Sequence, residues 1–426
     1  MMIEIQANNE WRTALFCSII ALFIILGLFY PILNVAALGM VAVSILLSNA
    51  EESICILIFL VSFSSIFKVT LGGFTFYNYA VLLGIIKGLT KSKFKINRHF
   101  GFQFFLFCGY VGIISARNDM ATVMAFLCYI ILFYLLYIPG TVSLRRITVF
   151  ATWGIIITSI IALRSKQIPR LYQIMKEATI RLAAGQYYNR FSGLETNPNY
   201  YSLMISIIIA VWLVLIIEGK NKKIDYAYVG VLTVFGLLTV SQSFVISYAI
   251  TIGGILFMSG KSGNKSAPLT VMMLAVVLVI AFLMLSQDTV NTLLFRFNSI
   301  SSSNTMSEVT TGRSSLILYY LNYIYQNISV LLFGRGVGAS NLPVGASHNY
   351  YVDIVYHLGL VGGSVYMMCL LNIFYPIKAA IRGKVYRFTP LFVFLVRALA
   401  INLIAREQLM FALLLCSASL YEATES

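Results

Sequence analysis

Charge is what this sequence has least of. Asp, Glu, Lys and Arg make up 11% of its 426 residues, where soluble domains carry about 25%, and that deficit excludes an ordinary soluble globular fold. Acidic residues are scarcer still: 15 Asp and Glu stand against 30 Lys and Arg, a formal charge of +15. In a soluble protein that balance would suggest nucleic acid, but in so apolar a chain the positive-inside rule absorbs most of it, and no nucleic-acid partner is expected. The six cysteines, Cys17, Cys55, Cys108, Cys128, Cys369 and Cys416, fall inside apolar runs with no CxxC spacing. They read as small buried hydrophobes rather than metal ligands or disulfide partners. No small-residue cleavage site follows the first apolar run, so a retained first helix is expected instead of a signal peptide. No internal repeat is visible, which removes one mark of a transporter.

What is present is apolar. Hydrophobic residues make up 59% of the chain and arrive in blocks of roughly helix-spanning length, separated by short polar or basic stretches, the signature of a chain solvated by lipid. The blocks predict helices near 13–30, 32–48, 52–67, 74–89, 101–116, 120–138, 147–163, 201–217, 226–240, 243–259, 268–285, 351–376, 388–404 and 408–420. That is fourteen spans, or twelve if the shorter ones break, re-enter or fuse. The expected fold class is all-α, a single polytopic integral membrane domain over residues 1–426. Basic residues concentrate in alternate connections: Lys87, Lys91, Lys93, Lys95 and Arg98; Arg145 and Arg146; Lys220, Lys222 and Lys223; Lys261 and Lys265; Lys378, Arg382, Lys384 and Arg387. The short opposite connections carry only Lys68, Arg117 and Arg406. This bias assigns the basic connections and both termini to the cytoplasm.

Two connections are long, 164–200 and 286–350, and both are expected on the outer side. Loops of such length are usually functional or disordered. The first holds Arg164, Lys166, Arg170, Lys176, Arg181 and Arg190; the second holds Arg296, Arg313, Arg335 and His348. No acidic run supplies these cations with a partner. In YYNRFSGLETNPNYYS, residues 187–202, Asn197 and Pro198 suit the cap and first turn of a helix, a role that needs no ligand. Arg190 is different, because a cation near a helix N-terminus opposes the macrodipole unless an anion lies between them. Gly334-Arg335-Gly336-Val337-Gly338 is either a simple turn or a loop whose backbone approaches phosphate. Arg313 opens SSLILYYLNYIYQNISVLLF, expected to be an amphipathic helix on the membrane face, and is a pyrophosphate candidate in the company of the other external arginines. His348, the only histidine expected outside, is either structural or a base; His357 and His99 are expected to be structural.

Together, RFSGLETNPN, GRSSL, GRGVG and HNYYVDIVYHLGLVGG, within residues 187–366, resemble the O-antigen polymerase and ligase superfamily. In that family long external loops precede an Asn-Pro-Asn-like segment, a Gly-Arg segment, a Gly-x-Gly turn and a His-Asn pair opening a late helix. The resemblance implies a GT-C-like fold of about 12–14 transmembrane helices with two long periplasmic loops, in a bacterial inner membrane. It implies a glycosyltransferase that moves a glycan from a polyprenyl pyrophosphate to a sugar hydroxyl of a second lipid-linked unit, polymerising O-antigen or capsular polysaccharide. The alternative acceptor, a lipopolysaccharide core, would make the chain a ligase. No metal or other cofactor is implied, and the DxD-like pair of metal-dependent transferases is absent from the external loops. The implied partners are the lipid-linked donor and acceptor, membrane lipid, and, as a further candidate, a chain-length regulator protein. Carried onto this sequence, Arg190 and Arg313 bind phosphate or glycan, Arg335 supports them and His348 deprotonates the acceptor. Asn197, Asn199, Glu195 and Asn349 become substrate-binding candidates, and Glu195 and Glu308 alternative bases.

One departure from the family concerns a Ser-Arg pair before the second long loop. Ser241-Gln242-Ser243 stands there instead, so either Arg190, Arg296 or Arg335 takes the place of the missing arginine or this member handles its donor differently. The main competing function is a lipid-linked oligosaccharide flippase, which needs cations inside the membrane. Only Arg397, in FVFLVRALAINLI, is expected at mid-span, facing the bundle interior toward Glu407, a backbone carbonyl or a lipid phosphate. The transferase is favoured.

Overall fold

A computed structural model describes residues 2–67, 70–71, 74–91, 98–136, 143–169, 171–172, 179–181, 187–220, 222–262, 266–301, 312–374 and 385–421. The described chain is predominantly helical. Helices stand at every expected position: α1 (Met2–Leu26), α2 (Ile32–Leu47), α3 (Ala50–Val61), α4 (Phe76–Lys91), α5 (Arg98–Ile114), α6 (Met120–Leu136), α7 (Leu144–Leu163), α8 (Pro198–Ile217), α9 (Lys223–Leu238), α10 (Gln242–Ser262) and α11 (Ser266–Leu283). The second long connection holds α12 (Gln287–Ser301), α13 (Arg313–Gln326) and α14 (Ile328–Phe333), and the chain closes with α15 (Tyr350–Phe374), α16 (Thr389–Ala398) and α17 (Glu407–Tyr421). Two small antiparallel hairpins interrupt this pattern, β1 (Thr70–Leu71) with β2 (Phe74–Thr75) and β3 (Thr179–Arg181) with β4 (Tyr187–Asn189).

Among the described residues three helical stretches are long and apolar enough to cross a membrane: Leu144–Leu163, Pro198–Ile217 and Tyr350–Leu371. A fourth arises if α11 and α12, bent by 114° at their junction, count as one. Others are too short to cross unaided, with 12 residues in α3 and 10 in α16, against the roughly 20 that a perpendicular span needs.

Helix α8 is the central post. Asn197 accepts a hydrogen bond from Asn199 N at 2.8 Å, and Pro198 occupies the first turn, where its missing N–H costs nothing. Every α8 residue except Asn199 is buried, against α7, α9, α10, α16 and α17. The outer helices turn apolar side chains outward instead, as with Phe102, Phe105 and Ile113 on α5 and Met272, Val276 and Leu283 on α11. The cysteines are unpaired and buried, Cys108 only half so.

Ionic contacts gather at the end of the bundle where α7 and α9 begin. Arg145 donates to Asp225 at 2.7 Å, Arg146 to Glu51 at 3.0 Å, and Arg387 grips Glu218 through two nitrogens. Pairing offsets the cost of removing these charges from water.

The amphipathic stretch expected after Arg313 is helical but broken at Asn327 into α13 and α14. Helix α15 is also broken, at Gly359 (φ 66°), and the glycine-rich segment repairs it. Arg335 N and Gly336 N donate to the carbonyls of Tyr356 and His357 at 2.8 and 2.9 Å, while Tyr110 Oη donates to Leu358 O and Phe333 O, both at 2.8 Å. The approach is close: a Cβ on Gly334 (φ 76°) would lie 2.4 Å from His357 O. The structure thus gives Gly334 and Gly336 a packing role as a clasp on α15.

Several expected residues lie outside the described residues: Glu308, Arg170, Lys176, Lys378, Arg382 and Lys384, and the side chains of Arg181, Arg296 and His99.

Candidate basic site

At the opposite end from the ion pairs, the start of α8 organises a cluster of cations. Asn199 Oδ1 accepts from Arg190 Nη2 and from Ser241 Oγ, each at 3.3 Å. Arg190 Nε donates to Thr239 O at 2.8 Å, so this guanidinium also rests on the C-terminal end of α9, where a cation is favoured. Arg397 arrives from α16. Its Nη2 donates to Asn199 O at 2.7 Å and Ser202 Oγ at 2.6 Å, and its Nη1 donates to Ser243 Oγ. Asn199 therefore bridges two arginines from distant parts of the sequence.

Arg397 is buried as expected, with a backbone carbonyl among its partners. It lies in the last turn of α16, which ends at Ala398, and the Leu399 carbonyl accepts from Asn349 Nδ2 at 3.1 Å. Its partners are a backbone carbonyl and two hydroxyls; no described carboxylate pairs with it. While Arg190, one of the three anticipated, shares Asn199 Oδ1 with Ser241, the arginine that donates to Ser243 is Arg397, a residue absent from those three. Sequence spacing carries no sign of that contact, which joins residues 154 positions apart.

His348 and Arg313 complete the cluster. Asn349 caps α15, its Oδ1 accepting from Tyr351 N at 3.0 Å and Val352 N at 3.1 Å, while its amide holds Leu399 O. Tyr351 Oη donates to Leu395 O at 2.9 Å. These bonds lock the start of α15 to the end of α16, and His348, one residue before Asn349, lies within electrostatic reach of Arg313. Arg313, the first residue of α13, has no hydrogen bond or ion pair among the described residues, and its charge repels both Arg397 and His348. Burial pushes the Arg313 guanidinium below its ordinary pKa. Burial and then Arg313 push the His348 imidazole down, which keeps it neutral and able to accept a proton near neutral pH.

Backbone strain is concentrated at this end. Among the described residues, the non-glycine residues with positive φ are Val240 (48°), beside Ser241, His348 (53°), and Ala405 (59°), beside Arg406. Each is a conformation that a side chain ordinarily avoids.

Of the residues singled out in the sequence, Arg190 contacts Asn199, Arg313 acts electrostatically on His348, and Asn349 ties its helix to Leu399 O. Asn197 acts as the α8 cap. Arg335 stands apart, exposed, with a 3.5 Å contact to Tyr356 Oη. Glu195 is buried and accepts from Ser65 Oγ at 3.3 Å. His357 is structural, its Nδ1 lying 2.9 Å from Gly336 O. No protein-family model matches the chain, and no curated protein matches it.

Proposed function

We propose that the chain is a polytopic membrane glycosyltransferase of the bacterial inner membrane that extends a polysaccharide from polyprenyl-pyrophosphate-linked units on the outer face. The observation that carries this reading is the convergence of Arg190 and Arg397 on Asn199, with Arg313 near enough to act on both Arg397 and His348 and no described carboxylate pairing with Arg313 or Arg397. Like charges held together in a partly buried site call for a polyanion, and a pyrophosphate offers oxygens to several guanidiniums at once. The apolar flanks of α5 and α11 and the membrane-length helices support the lipid setting.

In the proposed reaction an acceptor hydroxyl attacks the anomeric carbon of the donor glycan. The new C–O bond forms as the bond to the pyrophosphate oxygen breaks, the polyprenyl pyrophosphate leaves with the electron pair, and the hydroxyl proton passes to His348. Neutralising the leaving group by fixed guanidiniums lowers the barrier without reorganisation at the moment of reaction. The test is transfer by the purified chain in lipid nanodiscs supplied with polyprenyl-pyrophosphate-linked repeat units. Longer glycans with release of polyprenyl pyrophosphate are expected; unchanged substrate under saturating donor refutes the reading.

A further inference from the structure

A second polar cavity lies at the same end, and the basic cluster does not account for it. It encloses about 180 Å³ between the start of α4, the start of α6, the end of α3 and the α16–α17 loop, and Tyr77, Asn78, Asp119, Tyr129, Arg406 and Glu407 line it. The stretch 397–407 joins it to the basic cluster, with Arg397 at one end and Glu407 at the other. Tyr200, one residue after Asn199, donates to Asn402 O at 2.9 Å within this stretch, and Arg406 stacks over the Tyr200 ring at 5.5 Å.

The cavity wall carries polar atoms that the protein leaves without partners, and one of them, the Tyr77 hydroxyl, is fully buried. Glu407 is 8% exposed; one carboxylate oxygen accepts from Ser64 Oγ at 2.6 Å, and the other has no described hydrogen-bond partner. Asn78 is 5% exposed; its Oδ1 accepts from Tyr129 Oη at 2.6 Å, leaving its amide nitrogen unused. Tyr77 is 1% exposed and its hydroxyl has no partner. Buried polar groups are ordinarily satisfied. The partnerless Tyr77 hydroxyl, with the unused Glu407 oxygen and Asn78 amide open to the same cavity, indicates a ligand that supplies both donors and acceptors.

The balance of groups selects the ligand's chemistry. Glu407 and Asp119 repel a phosphate, and Arg406 repels a cation. A carboxylate, an amide, a guanidinium and two phenols together suit neighbouring hydroxyls, each able to donate and accept. The volume is below the roughly 300–1,000 Å³ of sites for drug-sized molecules, which fits a single ring.

We propose that this cavity seats one neutral sugar ring, that of the glycan whose hydroxyl is presented to the basic site. Its assignment to the acceptor rests on the glycosyltransferase reading above; sugar binding itself does not.

The test is saturation-transfer NMR on the full chain in nanodiscs with a panel of neutral methyl glycosides (hexosides, 6-deoxyhexosides and N-acetylhexosaminides), alongside phosphorus NMR of inorganic pyrophosphate. At least one glycoside is expected to bind. Glu407→Gln, which keeps the Ser64 bond, and Tyr77→Phe, which removes only a hydroxyl without a partner, each weaken it roughly tenfold while pyrophosphate binding persists. No glycoside signal in the unsubstituted chain, or equal signals in both variants, overturns the proposal and marks the cavity as water-filled. Glycoside binding without pyrophosphate binding upholds it and refutes the donor site instead.

Discussion

Arg313 is held by nothing that the described residues provide, and it sits against two groups that its charge repels. A residue kept for folding would not be placed so. Arg313→Ala should therefore leave the thermal unfolding midpoint within the change expected of about 0.5 kcal/mol, while donor binding loses charge-assisted bonds worth about 1.5–3 kcal/mol. Arg313→Lys should restore binding only in part, because an ammonium lacks the planar fork. A collapse of stability in Arg313→Ala would mean a structural role. The same arginine sets a pH dependence. The His348 pKa is lowered by burial and by Arg313, so a base at this position loses activity as pH falls through a value below the ordinary one of about 6.5. The acid limb of kcat/KM, which reports the free enzyme, should lie below that value and move upward in Arg313→Ala. A limb that stays fixed in the variant would show that His348 is not the base.

Among the elements, the junction of α15 with α16 and the clasp on α15 do different work. Asn349→Ala removes both the α15 cap and the bond to Leu399 O. It should cost about 1 kcal/mol of stability and lower the transfer rate more than pyrophosphate affinity, measured by the split between kcat and donor Kd. Gly334→Ala tests the glycine-rich segment: its added Cβ meets His357 O at a positive φ, so the unfolding midpoint should fall, by at least the ~1–2 kcal/mol of a left-handed residue. Pyrophosphate affinity of the folded fraction should be unchanged; a selective loss of affinity would restore the phosphate-cradle role. Much at this scale is legible in the sequence. Apolar runs announce the helices, and Asn197-Pro198 announces the start of α8. Three features are not legible. The break at Gly359 depends on carbonyls being met by residues 335, 336 and Tyr110. The end of α16 depends on Asn349 taking the Leu399 carbonyl. The pairing of Arg397 with Ser243 depends on two helices meeting. Each is a long-range contact, and local pattern carries no trace of it.

For the whole molecule, the two ends differ in how charge is handled. Arg145, Arg146 and Arg387 are matched by Asp225, Glu51 and Glu218, whereas Arg313 and Arg397 have no such partner among the described residues. Under the proposed topology the matched end faces the cytoplasm and the unmatched end meets lipid-linked substrate outside. Reporter fusions after Lys223 should give a cytoplasmic signal and fusions after Ser303 an external one; a cytoplasmic signal at Ser303 would overturn that orientation. The most direct measurement compares the Ala variants of Arg190, Arg313, Arg397 and His348 in nanodiscs, reading donor binding and glycan transfer separately on the same preparations. Loss of donor binding in the three arginine variants, with His348→Ala binding donor yet failing to transfer, is the expected result. Chain extension at the parental rate in all four would contradict the account.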